Sequence, residues 1–154
     1  MCSAGRDLGN SRFEVRALAL HIRFYLCSLR AYLGTSLALR LSVSAFDSVP
    51  AFSVLADELL FDPLRAEFEN VECVVDHTRA SGRGYYAGLC FHIHATAPSG
   101  RELQLVDGGA VDWTQRLLSN AKERLVISGL TPFCKLPRNV LSPRCLEYGD
   151  MLKH

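Results

Sequence analysis

Tyr85 and Tyr86 stand among Gly82, Gly84 and Gly88 and run into Leu89-Cys90-Phe91-His92-Ile93-His94, while a second glycine pair, Gly108-Gly109, follows Asp107. Residues without a side chain let the backbone approach a small guest, and phenol rings supply apolar surface with a hydroxyl at the tip. The chemistry this predicts is ligand binding, with candidate contacts at Gly84, Tyr85, Tyr86, Gly88, Gly108, Gly109 and Asp112. Side chains alternate across a strand, so one tyrosine is expected to face the pocket and the other to turn away. The same residues also fit an aromatic hairpin entry packed into the core, with Asp107-Gly108 as turn chemistry between a strand and a helix.

Cys90, His92 and His94 fall on one face of the expected strand and could contribute to a zinc or copper site, with Asp76 or His77 as a further ligand. That spacing is generic and reads first as partly exposed strand histidines, so no metal is assigned. The histidines could carry protons near neutral pH. No Ser/His/Asp or Cys/His order marks a nucleophile, and no residue is given a catalytic role; no cofactor is assigned.

The elements that must position these residues follow from periodicity. Leu18, Ile22, Leu26, Leu29 and Leu33 repeat at helical spacing, which predicts a helix from about Arg12 to Leu33, capped by Ser11 and ended by Gly34. Leu37, Leu39, Leu41 and Val43 alternate with smaller or polar residues as a half-buried strand does. Pro50 fits the first turn of a helix carrying Phe52, Leu55, Leu59 and Leu60, ended near Asp62-Pro63. A short helical turn through Leu64 and Phe68 then leads to a strand over 71–76. Tyr86 to Thr96 and Glu102 to Val106 are expected to pair as an antiparallel hairpin about Pro98-Ser99-Gly100. Trp113, Leu117 and Leu118 have helical spacing, and Arg124 to Ser128 reads as a closing strand.

This order predicts an α+β protein, a largely antiparallel sheet with helices packed on one face. At 154 residues the chain is sized for one domain. Its expected division is a loose leader over 1–11, a single α+β domain over 12–130 and an irregular tail over 131–154, where Pro132, Pro137 and Pro143 oppose regular structure.

The stretch with the tyrosines resembles the histidyl-tRNA synthetase family over roughly residues 60 to 130. Tyr85-Tyr86 running into Gly88-Leu89-Cys90-Phe91 matches the family's tyrosine pair and the strand after it, and Asp107-Gly108-Gly109 stands where its Gly-Gly begins. The resemblance implies a class II synthetase-like half-core and an amino-acid pocket at Tyr85 and Tyr86. Departures from the family pattern are specific. Ser81 occupies the place of the arginine in the family's Arg-Gly-Leu-Asp, and Ala110-Val111 precede Asp112 where the family has Arg-Tyr. The strand through Leu130 continues as Thr131-Pro132-Phe133, without the Glu-Arg that the third class II motif presents to ATP. Adenylation places charge on phosphate that cationic groups must stabilise. The resemblance therefore implies a degenerate domain, binding a small amino acid or related ligand in a regulatory role and not charging tRNA, as in the regulatory subunit of ATP phosphoribosyltransferase. Class II domains commonly dimerise, which implies a homo-oligomer or a larger protein partner. The other reading is an α+β interaction module with no small-molecule ligand, whose exposed edge recruits a protein.

With 17 Lys and Arg against 16 Asp and Glu, the net charge of +1 gives no general pull toward nucleic acid or an anionic membrane. One tryptophan and no basic-aromatic interleaving leave an RNA surface unsupported. The scattered cysteines contain no Cys-x-x-Cys pair and are expected as free thiols in a reducing cytoplasm. Arg16, Arg23 and Arg30, seven residues apart, are expected as an exposed basic stripe on the first helix. No apolar run reaches the roughly 20 residues a membrane span needs.

Overall fold

The computed structural model describes residues 1–34, 37–46, 52–96 and 100–131. Pro50, Pro98, Ser99 and the tail from Pro132 onward lie outside those residues. Six strands form one sheet: β1 (Cys2–Arg6), β2 (Leu39–Ala45), β3 (Val71–Val75), β4 (Leu89–Thr96), β5 (Glu102–Val111) and β6 (Glu123–Leu130). Their order is β1-β6-β5-β4-β2-β3, and among the described strands only the β2–β3 pair is parallel. The fold is thus α+β with a largely antiparallel, mixed sheet. The helices are α1 (Arg12–Leu33), α2 (Phe52–Ala56), α3 (Asp62–Glu67) and α4 (Trp113–Leu118).

The apolar stripe of α1 lies on the sheet. Leu18, Ile22, Leu26 and Leu29 are almost wholly buried against Leu41, Phe91, Ile93 and Val126 in one core. Burying each such side chain stabilises the fold by about 1.5–3 kcal/mol. Gly34 ends the helix at φ 84°, donating its N–H to Arg30 O. Ser11 does not cap the start with its side chain: at φ 55° it is left-handed and not in the extended conformation that a capping side chain uses, and its carbonyl accepts from Val15 N–H. The expected basic stripe is also more than a solvated face. Arg23 pairs with Glu67 at 2.7 Å, and Arg30 donates to Leu37 O, Glu69 O and Asn70 O, tying α1 to the crossover that follows β2.

That crossover contains α2, a π-helical turn over Asp57–Phe61 and α3. The helix was expected to end near Asp62-Pro63 before a short helical turn through Leu64 and Phe68; the turn is α3, and it follows without a break, with Pro63 inside it. Proline cannot donate a backbone hydrogen bond. The chain passes into the wider turn just before it, with Asp62 N–H reaching Asp57 O, and Pro63 then sits in the first turn of α3, where no donor is required.

Residues 2–6 are not a loose leader. They pair antiparallel with β6, Ser3 opposite Val126. Cys2-Ser3-Ala4-Gly5 carries no apolar alternation, so the strand is specified by its partners. Ser3 Oγ lies 2.9 Å from His21 Nε2 on α1, and Ser128 Oγ of β6 lies 2.8 Å from the other ring nitrogen. His21 is fully buried, and burial, with the Met1 ammonium adding to it, lowers its pKa. The neutral ring matches this setting, one nitrogen donating and the other accepting. An unfolded chain protonates this histidine near pH 6.5, so its contribution is intact above that pH. It is lost as pH falls toward the lower folded value, because the unfolded state takes up the proton first. The urea midpoint should drop between pH 7.5 and pH 5, and His21→Gln should flatten that drop. Equal pH dependence in both proteins would remove His21 as its source.

Candidate functional site

The two faces of the sheet differ. Leu41, Phe91, Ala110 and Val126 face α1, while the register aligns Ser42, His92, Asp107 and Gly129 across β2, β4, β5 and β6 on the opposite face. On that second face an open cavity of about 460 Å³ is lined by Tyr85, Tyr86, Gln104, Asp107, Ile127, Ser128, Gly129, Leu130 and Thr131. It joins the tyrosine segment to β5 and β6.

Both tyrosines line it, against the expectation that only one would. They precede β4 and belong to a turn, with both amides donating to Gly82 O, so strand alternation does not separate them. Their rings meet edge to face at 4.8 Å; Tyr86 is buried, and Tyr85, half exposed, has Trp113 edge-on at 5.7 Å. Gly84 and Gly88, at φ 84° and 94°, serve the turns on either side. Neither contributes to the lining.

Gly108 and Gly109 lie inside β5 rather than in a turn after it. A Cβ at Gly109 would meet Tyr86 Cδ1 at 2.6 Å, Cys90 Cβ at 2.7 Å and Leu89 O at 2.8 Å. At Gly108 it would meet Phe91 Cε1 at 2.5 Å, Ser128 Cβ at 2.6 Å and Ile127 O at 2.8 Å. The close approach expected of this pair is real, but its guests are the protein's own rings and neighbouring backbone. Asp112 is likewise outside the lining and pairs with Arg116 at 2.7 Å.

The residue that sequence reading passed over is Asp107. Its Oδ1 takes Arg79 Nη2 at 3.1 Å and lies 3.2 Å from His92 Nε2. Burial works to raise its pKa, but the hydrogen bonds from His92 and Arg79 outweigh it and leave the carboxyl below the ordinary value. Arg79 is almost fully buried. It also donates Nε–H to Ser81 O at 2.8 Å and spreads its guanidinium over the rings of Tyr86 and Phe46, at 5.6 and 5.8 Å. The Tyr86 phenol is raised far above its usual range by burial, with the Asp107 charge beside it adding to the shift. Gly129 was missed as well: a Cβ there would meet nothing within 4 Å, so the cavity floor is bare backbone at that point.

Cys90, His92 and His94 do share this face. The Cys90 thiol points to Ser44 O at 3.8 Å, and burial pushes its pKa up to about 11, which keeps it protonated at neutral pH. The two histidine rings meet edge to face at 5.3 Å. Among the described residues no group of three or more His, Cys, Asp or Glu side chains is placed to hold a metal ion. Among them, too, no helix is long and apolar enough to cross a membrane.

No protein-family model matches the chain, and no curated protein matches it in sequence. Its structure is similar to the crystal structure of apo histidyl-tRNA synthetase from S. aureus, with a TM-score of 0.54 and 16% identity, covering 84% of this chain and 35% of that one. The chain thus spans about a third of that protein's length. At this identity the likeness is one of fold: the chain has a synthetase-like α+β fold.

Proposed function

We propose that this chain is a degenerate class II synthetase-like domain that binds a small amino-acid-like ligand, in a regulatory role and without charging tRNA. The observation that carries the reading is the cavity where Tyr85 and Tyr86 meet β5 and β6, with the Asp107 carboxylate at its wall and Gly129 at its floor. Concave sites that join apolar surface to a few placed polar groups are where small ligands bind. The synthetase-like fold supports the ligand class. No arginine or lysine stands among the lining residues, which supports binding over phosphate chemistry.

A thermal-shift screen over the amino acids tests this. A ligand at a hundred times its dissociation constant stabilises the folded state by about 2.7 kcal/mol, which for a domain of this size raises Tm by roughly 5–10 °C. Amino-acid-dependent pyrophosphate exchange should stay at background. A screen without any shift would end the ligand reading, and robust exchange would end the degenerate one.

A protein partner is the second reading. Leu20 of α1, 63% exposed, lines a hollow with Leu59 of the crossover, Phe24 one turn further along α1 is 51% exposed, and large apolar side chains grouped on a surface favour a covering chain. Light scattering should then give a mass above that of one chain, and a clean monomer would remove self-association.

A further inference from the structure

We infer that the cavity at Tyr85 and Tyr86 selects its ligand by an ammonium group and not by a carboxylate, so that a small aliphatic or arylalkyl amine binds better than the corresponding amino acid. This rests on the ligand-binding reading above and narrows it.

The lining supplies one charge, and it is negative. Tyr85, Tyr86, Gln104, Ile127, Ser128, Gly129, Leu130 and Thr131 are neutral, and Asp107 alone is ionised. The side chain of Asp107 is 38% exposed, and its contacts with Arg79 and His92 both fall on Oδ1. The Tyr86 hydroxyl, itself in the lining, is also hydrogen-bonded to this carboxylate, and Oδ2 carries neither the Arg79 nor the His92 contact. Arg79 holds the carboxylate from the buried side, its own side chain 3% exposed and absent from the lining, so its charge orients Asp107 without being offered to a ligand. In the same lining the two phenol rings stand nearly perpendicular, at 84°, and Trp113 braces the outer one. A carboxylate next to aromatic rings is the chemistry that receives an ammonium ion, by charge-assisted hydrogen bonding and by attraction to the rings. The carboxylate of an amino acid entering the same space would approach Asp107 from its exposed side, where Arg79 lies beyond the carboxylate and offsets its charge in part, and no cationic side chain stands among the lining residues. The hydrocarbon part of the guest has Ile127, Leu130 and the open backbone at Gly129 to rest on.

Calorimetric titration with two matched pairs, histidine with histamine and phenylalanine with phenethylamine, separates this inference from the reading beneath it. The amine of at least one pair should bind about tenfold more tightly than its amino acid, the ratio that about 1.4 kcal/mol of residual charge repulsion produces. An amino acid binding as tightly as its amine, or more tightly, overturns the ammonium inference and leaves ligand binding standing. No heat from any of the four overturns both. Location is read with Gly129→Leu, whose Cβ would meet nothing within 4 Å and whose side chain would stand in the cavity opposite Asp107. The folded variant should lose at least tenfold in amine affinity, as should Tyr85→Ala. Wild-type affinity in both would place the amine elsewhere and overturn the assignment.

Discussion

Arg79→Ala should destabilise the protein by about 3 kcal/mol, one of the two largest losses expected from single changes at this site. Removing one partner of a buried ion pair typically costs ~3–5 kcal/mol, because the other charge is left uncompensated. Here the stranded Asp107 is 38% exposed and keeps its contact with His92, so solvent meets part of the cost and the lower end applies. The change also leaves Ser81 O without its donor and removes the cation from over the Tyr86 and Phe46 rings. Arg79→Met restores much of the volume but none of the charge. It should recover under half of the loss if the ion pair dominates, and nearly all of it if packing does. A double-mutant cycle with Asp107→Asn, followed by urea denaturation, measures the coupling directly. A coupling energy indistinguishable from zero would show that the pair does not hold the cavity wall in place.

The contrast between Asp107 and Leu26 shows why some of this molecule was legible and some was not. Leu26 belongs to a stripe whose period identifies a helix from its own neighbourhood, and α1 spans the expected residues, Arg12 to Leu33. β2 and the β4–β5 hairpin were legible by the same local logic. Asp107 is defined by Arg79, 28 residues away, and by His92 on the adjoining strand. Before glycine it reads as a turn residue, and nothing local contradicts that. The glycine pair misled for the same reason. Two adjacent glycines signal a turn, whereas here they are strand positions shaped by Phe91 and Tyr86, which belong to other segments. The first strand shows the limit from the other side: its small residues have no period of their own, and its place comes from pairing with β6 at the far end of the described chain. Of the residues expected to touch a ligand, only Tyr85 and Tyr86 stand at the cavity; the glycines were identified by backbone shape and Asp112 by its place in the resembled family's pattern.

Gly108→Ala should be as damaging as losing Arg79, though it adds a single methyl group. That methyl would stand 2.5 Å from the Phe91 ring edge, 2.6 Å from Ser128 Cβ and 2.8 Å from Ile127 O, all closer than real contacts allow. A flexible side chain could move aside at small cost, but Ile127 O belongs to the neighbouring strand and Phe91 is fully buried among α1 side chains. Overpacking of this kind typically costs ~1–3 kcal/mol, occasionally more, and with backbone on one side we expect about 3 kcal/mol, a fall in Tm of roughly 6–12 °C. Trimming the ring with Phe91→Leu separates the causes. Alone it opens a cavity and destabilises; combined with Gly108→Ala it should cost less than the two separate losses added together, since each change relieves the other. Simple additivity would mean that the methyl group's conflict is with β6 and not with the ring. An unchanged Tm for Gly108→Ala would mean that β5 and β6 do not approach as closely as the bare glycine permits, and the floor of the ligand cavity would then lose its basis.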